Sequence, residues 1–422
     1  MTFESFGTAA AAMLAGVFFL AFILGAVVQK TQFCTMGAVS DWVNMGDLGR
    51  MRAWLLAIAV AMLGVALLEP LGLIQADGAF PPYRAASFAW VEHVLGGFLF
   101  GIGMTLASGC GNKTLVRIGG GNLKSLVVLL VIAVVAYFMI NPFPGTAHTL
   151  YSLFFHPWTS PLAIDLGRPQ DLGSLLAGSA YGAWARTVIG LLLAVGLMVL
   201  LLRHRDFRRN RDHVLGGLVV GLAVVGAWVV TSIVTIDDGF GGQVRPSAYV
   251  QDWAFLADGP GGRPAEAAPW SPQSFTFINP MSQSLRYAVS GFDTAVLYLG
   301  VMALTGVILG ALFWALVSRG FRLEWFASGR DFVHHLLGAV LMAVGGVLGM
   351  GCTIGQGVTG ISALALGGFF TFASIVFGAA LTMKIQYYRM LHEDEASFPK
   401  ALVTALVDMR LLPRRLRRLE AL

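Results

Sequence analysis

His93-Val94-Leu95-Gly96-Gly97 recurs unchanged as His213-Val214-Leu215-Gly216-Gly217, and in looser form as His335-Leu336-Leu337-Gly338-Ala339. Each copy opens an apolar run. At the same offset from the histidine, the first copy reaches Cys110, the third reaches Cys352, and the second reaches Val230. Aligning Cys34 on Cys110 sets Gly25 opposite Gly101, a fainter fourth copy. Self-similarity of this kind marks a chain assembled from duplicated units.

The runs that carry these copies are long. Nine apolar stretches, at about 8–28, 53–74, 88–107, 124–140, 183–202, 213–234, 295–317, 332–350 and 362–383, approach the roughly 20 helical residues needed to cross a ~30 Å hydrocarbon layer. Of 422 residues, 56% are hydrophobic and 12% charged, against about 25% charged in soluble domains. The expected fold is all-α and polytopic, with no soluble catalytic domain. The first stretch is too long and too uniformly apolar for a cleavable signal, and the spans behind it argue that it is retained.

The net charge of +5 does not point to nucleic acid. Lys30, Arg50, the run Arg203 to Arg211, Arg319, Arg330 and the tail Arg414 to Arg418 fall in alternate connections. Such an asymmetry places those connections in the cytoplasm, of a bacterial inner membrane, with the N-terminus outside and the C-terminus inside. The span before Cys352 then runs opposite to those before Cys34 and Cys110. The expected organisation is a first half at 1–182, a linker span and basic loop at 183–212, an inverted second half at 213–384, and a basic tail at 385–422. Inverted repeats with broken helices meeting near the midplane are a common transporter plan. It puts Cys34 and Cys110 toward the inner side and Cys352 toward the outer. The long connections 141–182 and 235–294, rich in Pro, Gly and Trp, are expected to lie over the outer face as loops.

Three cysteines without a Cys-x-x-Cys pair suggest neither a disulfide framework nor a tetrahedral metal site, and no motif calls for a cofactor. A lone cysteine in an apolar helix is ordinarily a small buried hydrophobe. Here all three stand at repeat-equivalent positions flanked by glycine, ahead of Gly111-Asn112-Lys113 and Gly355-Gln356-Gly357 in the two clearer copies. These glycine-rich stretches are too short to span and too polar to face lipid, which predicts half-helices buried in protein. A neutral thiol is a weak, polarisable donor suited to a sulfur atom. A thiolate would repel an anion at low dielectric. Backbone N–H groups at half-helix N-termini would complete an anion site. Asn112 and Gln356 are candidate neutral donors, and each also suits the end of a broken helix. Lys113 and Arg117 either draw anions to the inner mouth or anchor topology. The repeated histidines suit packing better than proton transfer.

Gln32-Phe33-Cys34-Thr35-Met36-Gly37, Ser108-Gly109-Cys110-Gly111-Asn112-Lys113 and Gly349-Met350-Gly351-Cys352-Thr353-Ile354-Gly355-Gln356-Gly357 resemble the motifs of the YeeE/YedE family of sulfur-transport membrane proteins, over most of the chain apart from the long outer loops and basic tail. The resemblance implies thiosulfate uptake by a monomeric, hourglass-shaped protein with Cys34, Cys110 and Cys352 along its central path. The alternatives from other classes are a membrane redox enzyme or sulfurtransferase using the cysteines covalently, a regulatory partner subunit, or transport of a selenium-containing analogue. A soluble sulfur-carrier protein is a further candidate partner beside the lipid bilayer.

Overall fold

The computed structural model describes residues 1–237, 242–252, 270–392 and 396–419. In chain order its main helices are α1 (Phe6–Thr31), the short α2 (Thr35–Ser40), α3 (Gly49–Leu68), α4 (Trp90–Leu106), the short α5 (Gly111–Gly119), α6 (Leu123–Ile140), α7 (Leu172–Arg203), α8 (Arg211–Ile233), the short α9 (Ile278–Val289), α10 (Leu299–Val317), α11 (Gly329–Leu348), α12 (Leu366–Leu391) and the tail helix α13 (Phe398–Asp408). Among the described residues, nine stretches are long and apolar enough to cross a membrane. The protein is an all-α polytopic membrane protein. Its strands are minor: Thr2–Phe3 pairs in parallel with Thr235–Asp237, which pairs antiparallel with Gln243–Val244.

Local sequence sets where several spanning helices begin. Ser5, Asn122, Asp171, Asn210 and Ser328 cap α1, α6, α7, α8 and α11, each side chain accepting a first-turn N–H. Such caps satisfy donors that the helix itself leaves open. Lipid offers no hydrophobic drive for helix association, so close approach of backbones matters. A Cβ on Gly25 or Gly310 would collide with the carbonyls of Val307 and Phe22, which fixes α1 against α10. Only 22% of the most apolar window of α7 is buried, against 61% for α3, so α7 stands at the perimeter.

One expectation fails. The connection 235–294 is not wholly a surface loop: Phe275, Phe277, Ile278, Met281 and Ser282 are buried, and α9 packs on α6 and α10 inside the bundle. Asn279, Ser282, Gln283, Ser284 and Arg286 lower its hydropathy, and at 12 residues it is too short to span, so a search for spanning segments passes over it.

Candidate functional site: a centre of broken helices and thiols

Three spanning helices stop the same way. After α1, α4 and α11 the chain passes through Gln32, Ser108 and Met350, non-glycine residues in the left-handed region at φ 52°, 58° and 56°. Such conformations cost about 1–3 kcal/mol each and persist where the surroundings enforce them. Two residues further on comes a cysteine each time. Cys34 and Cys110 take extended backbone and start α2 and α5. Cys352 starts a short segment, 353–362, whose Gln356 N–H donates to the Cys352 carbonyl at 2.8 Å and which contains the π-turn Gly355–Gly360.

These starts face one another. The Cys34 thiol neighbours that of Cys110, which also stands near Thr353. A Cβ on Gly111 would stand 3.8 Å from the Cys352 Cβ and 3.4 Å from Ile278 at the head of α9. The far ends diverge. Gly120 and Gly121, beyond α5, accept hydrogen bonds from Arg322 and Glu324 on the basic face, whereas Ala363 and Leu364 accept from Arg84 and Leu172 on the opposite, loop-rich face. The thiols are unpaired and buried. They form one cluster, because all three half-helices begin at the centre whichever face they run to.

Val230, at the cysteine's offset in the second copy, does not follow a helix break. It lies inside the unbroken α8, packed on Gly16. The fourth central half-helix is α9, started by Phe277, whose backbone N–H reaches Cys352.

Polar groups at this centre lack partners. Cys34, Cys110 and Phe277 make no side-chain cap, unlike the caps at the membrane faces. The hydroxyls of Thr35, Thr276, Ser282 and Thr353, the Asn112 carbonyl oxygen and Gln356 Oε1 are buried without a hydrogen bond. An unpaired buried polar group costs about 1–3 kcal/mol, and native interiors hold few of them. Those on the half-helices and beside their starts leave polar atoms open where the helix breaks meet. Tyr83, from the loop-rich face, adds a buried, unpartnered phenol within electrostatic range of Cys352, and burial pushes its pKa up, so it stays a neutral donor.

The remaining candidates divide between chemistry and support. Gln356 Nε2 donates to the Gly349 carbonyl at 2.7 Å and so closes the end of α11. Gly355 and Gly357 admit Thr276 and the Phe372 ring, each of which would clash with a Cβ. Lys113, 8% exposed, donates to Gln32 Oε1 at 2.7 Å, and it lies within electrostatic range of Cys34, Cys110, Arg117 and Arg50, a file of cations toward the basic face. The repeated histidines sit in or near the first turns of their helices: His93 bonds Thr371 at 2.8 Å, His335 bonds the Asp331 carbonyl at 2.8 Å, and His213 packs on Gly49. Among the described residues no three His, Cys, Asp or Glu side chains form a metal-binding group. The central hydroxyls escaped the sequence reading because Thr and Ser are common in apolar helices. Their adjacency to the cysteines, at Thr35 and Thr353, was the available signal.

Half-helices that meet inside a membrane bundle, with uncapped amide ends and unpaired buried donors, define a membrane transport protein. Residues 30–381 match the family described as Sulphur transport, and the chain belongs to that family, a family of transporters and not of enzymes. It is similar to the thiosulfate transporter TsuA of Escherichia coli (strain K12), 23% identical over 386 residues, covering 87% of this chain and 93% of the relative. It is also similar to the thiosulfate transporter TsuA of Spirochaeta thermophila, 22% identical over 361 residues, covering 84% and 93%.

Proposed function

We propose that the protein takes up thiosulfate through this centre, with Cys34, Cys110 and Cys352 as neutral donors to its terminal sulfur and with half-helix N–H groups and hydroxyls as donors to its oxygens. The observation that carries the reading is the coincidence of three thiols with unpartnered buried donors where four half-helices begin. Asn112 adds a further amide at the head of α5. The two TsuA relatives support the choice of thiosulfate.

In this reading the chain is a monomer of two inverted halves, 1–182 and 213–384, around the linker 183–212, with the basic face and tail 385–422 in the cytoplasm. The anion arrives from the loop-rich side, exchanges water for uncharged donors, and leaves past Lys113, Arg117 and Arg50. Uncharged donors suit this task because they replace hydration without holding a dianion too tightly to release. Entry of a dianion against a negative interior of 100 mV costs roughly 5 kcal/mol, which a co-transported cation or intracellular consumption must offset.

Uptake of labelled thiosulfate into vesicles holding only this protein tests the proposal. Competition by unlabelled thiosulfate and failure of sulfate to compete is the expected result, and a selenium-containing analogue tests how far the thiols discriminate. Near-normal uptake by the Cys110→Ala, Cys352→Ala double variant would return the cysteines to a packing role.

A further inference from the structure

We propose that an anionic phospholipid binds in the groove beneath the truncated end of α4. α4 stops at Leu106 because the chain turns back to place Cys110 at the centre. Its neighbours α11 and α12 continue to the basic face, so the break that builds the transport site leaves a notch beside them. Ile102 and Leu106 of α4 with Leu381 and Ile385 of α12 form its apolar walls, and Phe398 and Leu402 of α13 close it from below. Arg330 and His334 of α11 and Arg389 of α12 stand at its mouth.

Among the described residues no acid pairs with Arg330 or Arg389 at that mouth, and Asp331 and Asp408, the described acids beside the groove's helices, are engaged elsewhere. Asp331 holds Lys124 at 2.9 Å and His335 at 3.0 Å. Asp408 holds Arg417 and accepts from the Tyr388 hydroxyl. Two guanidinium groups with no ion pair among the described residues, beside an apolar slot, match a phosphodiester headgroup with its acyl chains along the slot. Basic pockets between spanning helices at the cytoplasmic side recruit such lipids by the same pairing. A free phosphate would use the cations and leave the apolar walls unfilled, and a zwitterionic lipid would fill the walls with no net charge for the cations. This inference is independent of the substrate assigned to the thiols.

The test uses the full-length protein purified in detergent. Phosphatidylglycerol, phosphatidylcholine of the same acyl chains, and soluble glycerol phosphate are added separately, with thermal stability and retention of lipid in native mass spectrometry as readouts. Phosphatidylglycerol alone is expected to raise the melting temperature and to remain bound. The Arg330→Gln, Arg389→Gln variant should bind it roughly 30-fold more weakly, at about 1 kcal/mol per cation near a membrane surface, while Arg330→Lys, Arg389→Lys keeps most of the preference. Each variant is compared between lipids, so a change in its own stability does not enter. Equal effects of the two lipids, an intact preference in the Gln variant, or equal stabilisation by glycerol phosphate would each overturn the proposal.

Discussion

The two sides of the central cluster are built from different chemistry. Toward the basic face, α2 and α5 bring two neighbouring thiols, then the cations Lys113, Arg117 and Arg50. Toward the loop-rich face, 353–362 and α9 bring one thiol, the hydroxyls of Thr353, Thr276 and Ser282, and the phenol of Tyr83, with no cation against the thiol. The loop-rich side is instead pinned by charge at its rim. Arg84, almost wholly buried, donates to the Ala363 carbonyl at the end of 353–362 at 3.0 Å and pairs with Glu69 and Asp77. Arg186 joins Asp77 to Asp171. The contrast teaches that fixed charge serves two ends here: it holds one half-helix in place on the loop-rich side, and on the other, in the proposed pathway, it would lower the energy of a passing anion.

The largest effect is expected from the pinned side. Arg84→Ala removes a buried guanidinium together with its bond to the Ala363 carbonyl, and although Arg186 stays beside Glu69 and Asp77 it should destabilise the protein by about 3 kcal/mol, read as a lower melting temperature in detergent. Arg50→Ala, on the other side, removes an arginine that is 41% exposed and should cost less. Equal losses would erase the distinction. Burial alone would raise the Asp77 carboxyl, but hydrogen bonds and charge from Arg84 and Arg186 hold it below the ordinary value. Its contribution is therefore full above the unfolded value of about 3.9 and is lost as pH falls through the folded value. Asp77→Asn should flatten that acid limb of the stability profile.

Second in size is the loss of a thiol. Cys110 neighbours both Cys34 and Thr353, so Cys110→Ala removes the thiol where the two sides meet. One hydrogen bond of about 1–3 kcal/mol corresponds to a five- to 150-fold slower uptake. Cys352→Ala should fall in the same range and Cys34→Ala below it, whereas Val230→Ala, in unbroken α8, should transport near normally. Uptake rates at matched expression decide this, and a Val230→Ala loss as large as that of Cys110→Ala would break the assignment of the centre to Phe277.

A smaller effect is expected from the cation file. Lys113→Gln keeps a donor for Gln32 and removes the charge, and should slow uptake roughly tenfold, within the range by which a charged cleft concentrates its ligand. Thr353→Val, on the uncharged side, tests the counterpart. If Lys113→Gln leaves the rate unchanged, the cations on that side only anchor topology. The smallest effect, none, is expected from mild reductant, because the thiols act reduced. Loss of uptake on reduction, recovered on oxidation, would show that the Cys34 and Cys110 contact works as a redox pair.

Much of this protein was readable without coordinates. Nine spans follow from residue transfer energies summed over about 20 positions, a local quantity that needs no knowledge of neighbours. The choice of Cys34, Cys110 and Cys352 as candidates follows from their recurrence in glycine-flanked settings, again a property of the string. The clustering of those cysteines did not follow, since it depends on where half-helices of opposite direction start in space. α9 was invisible for the same reason: its polar residues are stable inside the bundle only because α6 and α10 surround it. The left-handed turns at Gln32, Ser108 and Met350 carry no glycine or asparagine to announce them, and packing around the breaks imposes them. Local hydropathy and repetition thus determined the spans and named the thiols, while the meeting of four half-helix ends, the unpaired donors and the notch under α4 were decided by tertiary contacts between segments distant in sequence.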